Sequence, residues 1–135
     1  LKDNMKPILC VGETIDELNA GLAKETVHHQ LQQGLNNIES LHNIVVAYEP
    51  VWAIGTGLTA SFQKVGEIHS FIRNILKELF SEKESNIVPI IYGGSVNSDN
   101  AEKLINVHSV NGFLIGGASL DLDKFVEIIN IVDKN

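Results

Sequence analysis

Short apolar segments alternate with longer amphipathic segments along the whole chain, and this alternation strongly limits the folds open to it. The apolar segments cover residues 7–11, 43–48, 87–92 and 112–115, and each precedes a segment with helical spacing of apolar residues. Apolar strands separated by helices form βαβ units, in which helices cover a parallel sheet and the crossovers are right-handed. The chain is therefore predicted to have an α/β fold with four βα units.

Polar residues mark the starts of three predicted helices. Thr14 and Glu17 have capping-box spacing, so a helix is expected to begin there and to run to about residue 38. Ser98 and Asp121 are predicted N-caps, because their side-chain oxygens suit the free amides of a first turn. Two predicted helices have long apolar faces, which hold Val65, Ile68, Phe71, Ile72, Ile75, Leu76 and Leu79 in segment 61–80, and Leu122, Phe125, Val126, Ile129 and Val132 in the last segment.

Composition places the chain among globular proteins of one domain, predicted to span residues 1–135. Hydrophobic residues make up 44% of the chain and charged residues 20%, as is usual for a protein with a packed core. The net charge of -7 opposes binding to nucleic acid, and no apolar run approaches the roughly 20 residues that span a membrane. The single cysteine, Cys10, has no internal disulfide partner, which favours the cytoplasm. Because the chain starts at Leu1 and not at a methionine, we expect it to be part of a longer protein.

Glu49 directly follows the second predicted strand and precedes a loop that mixes large apolar residues with Gly55 and Gly57. A closing apolar loop strips water from a carboxylate, which makes its charged form a stronger base. Glu49 is therefore a candidate catalytic base beneath a mobile lid. The alternative is a surface carboxylate in a salt bridge, because charged groups prefer the surface.

Glycine pairs follow the third and fourth predicted strands, in Gly93-Gly94-Ser95 and in Gly116-Gly117. The carboxyl ends of parallel strands share one edge of an α/β sheet, and ligands bind at that edge. Glycines let backbone amides approach a phosphate closely, and Ser95 adds a hydroxyl donor. These loops predict a phosphate pocket on the same side of the sheet as Glu49, with tight turns as the alternative reason for the glycines.

Several segments carry a resemblance to a known family. Residues 47–57 (AYEPVWAIGTG), 92–96 (YGGSV) and 112–120 (GFLIGGASL), with 8–13 (ILCVGE), resemble the signature segments of the triosephosphate isomerases. The match runs in the family's order over essentially the whole chain. It implies the C-terminal half of a (β/α)8 barrel, with strands five to eight and their helices. A complete barrel typically has about 250 residues, so the resemblance also implies that the N-terminal half is absent.

The resemblance further implies a reaction and the roles of the site residues. Glu49 is implied to be the base that moves a proton between adjacent carbons of dihydroxyacetone phosphate and glyceraldehyde 3-phosphate through an enediolate, as in glycolysis and gluconeogenesis, without a cofactor. The residues implied to bind the substrate phosphate are Gly55, Ser95, Gly116 and Gly117. Tyr92 and Ser95 are implied to latch the closed lid. The lid consists of Pro50, Val51, Trp52, Ala53, Ile54, Gly55, Thr56, Gly57, Leu58, Thr59 and Ala60.

Two further residues are secondary candidates for the site. Cys10 aligns with a family cysteine near the base, but a free cysteine usually packs as a small apolar group, and packing is the favoured interpretation. Glu13 is expected either to join the network of the site or to form a salt bridge or a charge beside a helix cap. No metal site is predicted, because the histidines lack metal-ligand spacing and are expected to be solvated. They are His28, His29, His42, His69 and His108.

The family's chemistry also needs groups that this chain lacks. The resemblance implies an electrophilic histidine and a substrate-binding lysine, both in the first half of the barrel, so we expect the chain alone to be a poor isomerase. The intact protein is expected to be a homodimer that acts on a small triose phosphate. This chain alone is expected to self-associate or to pair with the missing half, because half a barrel leaves strand edges unpaired. Two alternatives stay open: another phosphosugar-binding barrel enzyme, or a non-enzymatic structural half-barrel.

Overall fold

A parallel sheet of three strands lies at the centre of the structure, a computed structural model that describes residues 5–135. Helices cover the sheet, so the predicted α/β class is confirmed, and the arrangement is that of part of a (β/α)8 barrel. Leu1, where the predicted domain starts, lies outside the described residues. The strands, in sheet order, are β1 (Ile8–Val11), β2 (Val45–Tyr48) and β3 (Ile90–Tyr92).

The helices alternate with these strands, and the longest of them packs against neighbouring helices and β3. Within the described residues, none is long and apolar enough to cross a membrane. Short 3-10 turns occupy Val51–Ala53 and Gly117–Leu120. The helices are α1 (Ile15–Asn19), α2 (Ala23–Gly34), α3 (Phe62–Leu79), α4 (Glu82–Ile87), α5 (Ser98–Ile105) and α6 (Leu122–Val132).

Residues 112–115 do not form the predicted fourth strand. The Tyr92 amide donates to the Gly112 carbonyl at 3.0 Å, and the Leu114 amide donates to the Tyr92 carbonyl at 2.9 Å. These two bonds make a single parallel bridge between Tyr92 and Phe113. Because pairing stops after one residue pair, no ladder forms, although the segment still runs beside β3 and delivers Gly116 to the same edge of the sheet.

Two predicted elements differ most from the structure in their bounds, while β1 and β2 begin one and two residues later than predicted. The helical stretch expected from residue 14 to 38 divides into α1 and α2 at Gly21, whose φ of 75° lies in the left-handed region that glycine favours. The strand expected over 87–92 begins only at Ile90. Its first predicted residue instead ends α4, a helix that we did not predict and that the Ser81 side chain caps by accepting from the Glu84 amide.

The predicted helix caps agree with the structure at two of three positions. Thr14 and Glu17 form the capping box, and the Asp121 side chain accepts from the Lys124 amide at the start of α6. The prediction for Ser98 is wrong by one residue. Asn97 is the N-cap of α5, since its carboxamide oxygen already accepts from the amides of the first turn.

The predicted apolar faces are only partly buried. On α3, Phe71 is half-buried and Leu79 is exposed, whereas the other predicted residues are buried. On α6, Ile128 is the buried residue, so this helix is rotated relative to the prediction. Its exposed residues include three that were predicted to face the core, namely Leu122, Val126 and Ile129.

Candidate active site

One cavity of about 380 Å³ gathers the residues that the sequence pointed to. Glu49 enters it from the end of β2, and Gly55 reaches it from the predicted lid (residues 50–60). Further walls come from the glycine loop (residues 93–96) after β3 and from residues 114–118. The side chain of Glu49 is the one ionisable group that the described residues contribute to these walls. The cavity thus combines a single carboxylate with a lining of glycine backbone.

The position of Glu49 depends on glycines in both neighbouring βα units. Its amide donates to the Val11 carbonyl at 2.8 Å, which continues the pairing of β2 with β1. A Cβ on Gly12 would collide with the Glu49 carbonyl, and a Cβ on Gly93 would lie 2.5 Å from Glu49 Cγ. Both glycines are therefore required by the close approach of the Glu49 residue, quite apart from any ligand.

Cys10 lies beside Glu49 and is exposed, so the favoured prediction that it packs as a buried group is wrong. The sheet register pairs Cys10 with Ala47. Because side chains alternate along a strand, Cys10, Ala47 and Glu49 share one face of the sheet. Partial burial, with the adjacent Glu49 carboxylate, raises the pKa of the Cys10 thiol to about 11. The thiol is therefore protonated at neutral pH.

Glu13 is fully buried in a hydrogen-bond network and takes no part in an ion pair among the described residues. Its carboxylate accepts from the Tyr48 hydroxyl at 3.2 Å and from Trp52 Nε1 at 3.0 Å, and its carbonyl accepts from the Val51 amide at 2.9 Å. Burial, reinforced by the Glu13 carboxylate, raises the pKa of Tyr48, so this hydroxyl remains a donor. Glu13 thus joins the first βα unit to the start of the predicted lid and lies beside the Thr14 cap, but it does not line the cavity.

The lid is attached at both ends and exposed in the middle. Pro50, Ala53 and Ala60 are buried, whereas residues 54–58 are exposed. Gly55 and Gly57 have φ angles of 69° and 77°, in the left-handed region where a side chain would be strained. The backbone angles of the predicted lid are thus sufficient to explain why glycine occurs at positions 55 and 57.

The far end of the predicted lid is hydrogen-bonded to Tyr92 and Ser95, and also to Asn100, which we did not predict. The Tyr92 hydroxyl accepts from the Ala60 amide at 3.3 Å. Ser95 takes part through its backbone carbonyl, which accepts from the Thr59 hydroxyl at 3.0 Å. Asn100 Nδ2 lies 3.1 Å from the same carbonyl and 3.2 Å from the Thr59 hydroxyl. Its spacing from Asn97 is that of a capping box, and this was the sequence signal that could have identified it.

Gly116 and Gly117 differ from the glycines beside Glu49. Neither has a positive φ, and a Cβ on either would point into open space. The Gly116 carbonyl accepts from both the amide and the hydroxyl of Ser119. Packing therefore does not require glycine at these two positions, which begin the 3-10 turn Gly117–Leu120 and line the cavity.

His69 is fully buried and lies among aromatic rings, so the prediction of a solvated histidine is wrong at this position. Its Nδ1 is 3.0 Å from the Ser109 carbonyl oxygen, and Nε2 has no hydrogen-bond partner among the described residues. Burial lowers the pKa of His69 to about 4, which keeps the ring neutral. It does not line the cavity. Among residues 5–135, no three His, Cys, Asp or Glu side chains are grouped closely enough to hold a metal ion.

Comparison with known proteins identifies the family. The family profile described as Triosephosphate isomerase matches residues 1–132. The chain belongs to the triosephosphate isomerase family. It is 48% identical to the triosephosphate isomerase of Chloroherpeton thalassium over 124 residues, which cover 90% of this chain and 49% of that relative.

Two other triosephosphate isomerases agree with this assignment. The chain is 47% identical to the one from Mycoplasmoides gallisepticum, over 96% of this chain and 52% of the relative. It is 46% identical to the one from Prosthecochloris aestuarii, over 100% of this chain and 54% of the relative. The chain therefore spans about half the length of the curated relatives that it matches.

Proposed function

We propose that this chain is a single domain, residues 1–135, that forms the C-terminal half of a triosephosphate isomerase. In the complete enzyme it supplies the base and the phosphate contacts for the interconversion of dihydroxyacetone phosphate and glyceraldehyde 3-phosphate. The observation that carries the proposal is the cavity in which the Glu49 carboxylate faces the glycine loop and the backbone of Gly116 and Gly117. The membership of the family supports it.

Glu49 acts as the proton carrier in this proposal. Its carboxylate removes a proton from the carbon beside the substrate carbonyl and returns a proton to the adjacent carbon of the enediolate. Ile54 of the lid lines the same cavity. Closure of the lid over bound substrate would exclude water, strengthen Glu49 as a base and protect the enediolate from side reactions.

The phosphate of the substrate binds on the glycine side of the cavity. Backbone amides of Gly55, Gly116 and Gly117 and the hydroxyl of Ser95 are the proposed donors, since all four residues line the cavity. The described walls contain no cation to bind the phosphate. Amide and hydroxyl donors therefore supply this chain's share of the binding energy.

This chain leaves one part of the reaction to other residues. Charge that develops on the enediolate oxygens needs a donor, and one such donor contributes on the order of 3 kcal/mol to lowering the barrier. No histidine, lysine or arginine of the described residues lines the cavity. The part of the family's length that this chain does not match is the proposed source of those groups. The complete protein is proposed to be a cytoplasmic homodimer.

A coupled assay tests the proposal. Turnover of glyceraldehyde 3-phosphate is measured for the chain alone and after addition of the part of the Chloroherpeton thalassium relative that the match leaves uncovered. We expect activity only in the mixture, and Glu49→Gln should lower kcat sharply while the inhibition constant of inorganic phosphate changes little. Unchanged turnover in Glu49→Gln would refute the role of the base. A mixture that binds phosphate without turnover would favour a different phosphosugar enzyme or a structural half-barrel.

A further inference from the structure

Asn100 links three parts of the molecule through one carboxamide. Its Nδ2 donates to the Thr59 hydroxyl at 3.2 Å, at the far end of the lid, and lies 3.1 Å from the Ser95 carbonyl in the glycine loop. Its Oδ1 accepts from the Asn97 amide at 2.9 Å, at the start of α5. A single side chain therefore joins the lid, the glycine loop and a helix.

We propose that Asn100 is a positioning residue that holds the lid end and the glycine loop in register for binding of the substrate phosphate. The inference deepens the proposed function and rests on it for the identity of the ligand. Asn100 does not line the cavity, so it acts through Thr59 and Ser95.

The two donors at the Ser95 carbonyl determine the orientation of the glycine loop. The Thr59 hydroxyl and Asn100 Nδ2 both point at this oxygen, at 3.0 and 3.1 Å. A carbonyl that accepts two hydrogen bonds has little freedom to rotate, so the peptide after Ser95 is held as well. Ser95 and Val96 both line the cavity. Loss of the Asn100 donor would therefore loosen the proposed phosphate contacts without removing any of them.

The helix supplies the rigid side of this link. Asn97 caps α5, and two residues on the inner face of this helix, Ala101 and Leu104, are fully buried. A site built on a packed helix is placed more precisely than one that depends on loops alone. On the lid side, Thr59 precedes Ala60, whose amide is bonded to the Tyr92 hydroxyl. Asn100 thus ties the end of the predicted lid to a helix that is packed into the core.

Replacement of Asn100 by aspartate separates positioning from folding. Asn100→Asp keeps an oxygen for the Asn97 amide and places a negative charge in the first turn of α5, where the helix dipole favours it. The oxygen that replaces Nδ2 cannot donate, so both bonds from Nδ2 to Thr59 and Ser95 are lost and a carboxylate oxygen faces the Ser95 carbonyl. Asn97→Asp is the matched control, because it adds the same charge to the same helix end, keeps the capping oxygen and leaves the Asn100 carboxamide in place.

The variants are compared in the barrel reconstituted from this chain and the uncovered part of the Chloroherpeton thalassium relative. Hydrogen exchange at the Ala60 amide reports on the lid end in the absence of any ligand, and inhibition by inorganic phosphate reports on the anion site. For Asn100→Asp we expect both the exchange rate and the phosphate inhibition constant to rise about tenfold, as the loss of one to two hydrogen bonds implies. Asn97→Asp should change neither. Thr59→Val, which removes the hydroxyl and leaves α5 intact, should reproduce the Asn100→Asp result.

Two outcomes would overturn the inference. If Asn100→Asp and Thr59→Val exchange and bind phosphate like the parent protein, the link has no positioning role. If Asn97→Asp shifts both measurements as much as Asn100→Asp does, added charge and not the lost donor is the cause. The exchange measurement needs no turnover, so a failure of the isomerase proposal, seen as unchanged activity in Glu49→Gln, remains distinct from a failure of this one.

Discussion

A methyl group added at Gly93 should displace Glu49, the proposed base, while leaving the fold in place. The Cβ of Gly93→Ala would lie 2.5 Å from Glu49 Cγ and 3.0 Å from its Oε1. The Gly93 amide donates to the Tyr48 carbonyl at 2.8 Å, and Gly93 is buried, so the backbone has little room to retreat. Its φ is not positive, which makes alanine acceptable to the backbone. The Glu49 side chain must therefore move.

The size of the effect follows from that displacement. Carbon atoms in contact lie about 3.5–4.0 Å apart, so Glu49 Cγ must move by at least about 1 Å. A misplacement of about 1 Å in a catalytic group lowers the rate roughly 100-fold, which corresponds to about 2.7 kcal/mol of barrier. Crowding of this kind destabilises a fold by about 1–3 kcal/mol. Catalysis should therefore fall much further than the folded fraction does.

The assay is kcat/KM for glyceraldehyde 3-phosphate in the reconstituted barrel, with the thermal midpoint measured on the same sample. Gly66→Ala is the control. Gly66 lies on α3 and does not line the cavity, and its added Cβ would also meet a neighbour closely, at 3.1 Å from Val107 Cγ1. We expect Gly66→Ala to retain the parent activity. A Gly93→Ala protein that is folded and within twofold of the parent would show that the position of Glu49 does not control the reaction.

Two further predictions concern the buried polar groups. Because the pKa of His69 is about 4 in the folded protein and ordinarily 6.5, the unfolded chain binds a proton between these pH values that the native protein does not. The contribution of His69 to the free energy of unfolding should therefore be complete above pH 6.5, and the free energy should fall by about 3 kcal/mol as the pH drops to 4. The variant His69→Asn retains an amide group for the Ser109 carbonyl, and urea titrations should show that its free energy of unfolding has lost most of this pH dependence. If the pH dependence is unaltered, groups other than His69 cause it. Trp52→Phe removes the Nε1 donor from the buried Glu13 carboxylate, so the free energy of unfolding in urea should fall by about 1–3 kcal/mol. Glu13→Gln, which removes the charge of the acceptor, is the companion variant. If Trp52→Phe is as stable as the parent protein, water replaces the lost donor.

Much of the local structure could be predicted because it depends on neighbours in sequence. The capping box at Thr14 and the cap at Asp121 need only residues within one turn, and both are present. The parallel sheet follows from apolar strands separated by helices. Some errors lie where a distant contact decides, as at residues 112–115, where pairing stops after one bridge, and on α6, where Ile128 faces inward. Another is local: Asn97 and not Ser98 caps α5, because both residues can accept from a first-turn amide.

The sequence by itself determined the α/β class and the family, and it indicated that Glu49 and the two glycine pairs follow the strands, because these features depend on residue types and their order. Only the tertiary structure decided how those residues meet. It placed Cys10 beside Glu49 through the sheet register, joined Glu13 to Trp52 across 39 positions, buried His69 and brought Asn100 to the lid. The physical reason is that each of these relations is a distance between parts of the chain far apart in sequence, and such distances are set by packing of the whole fold.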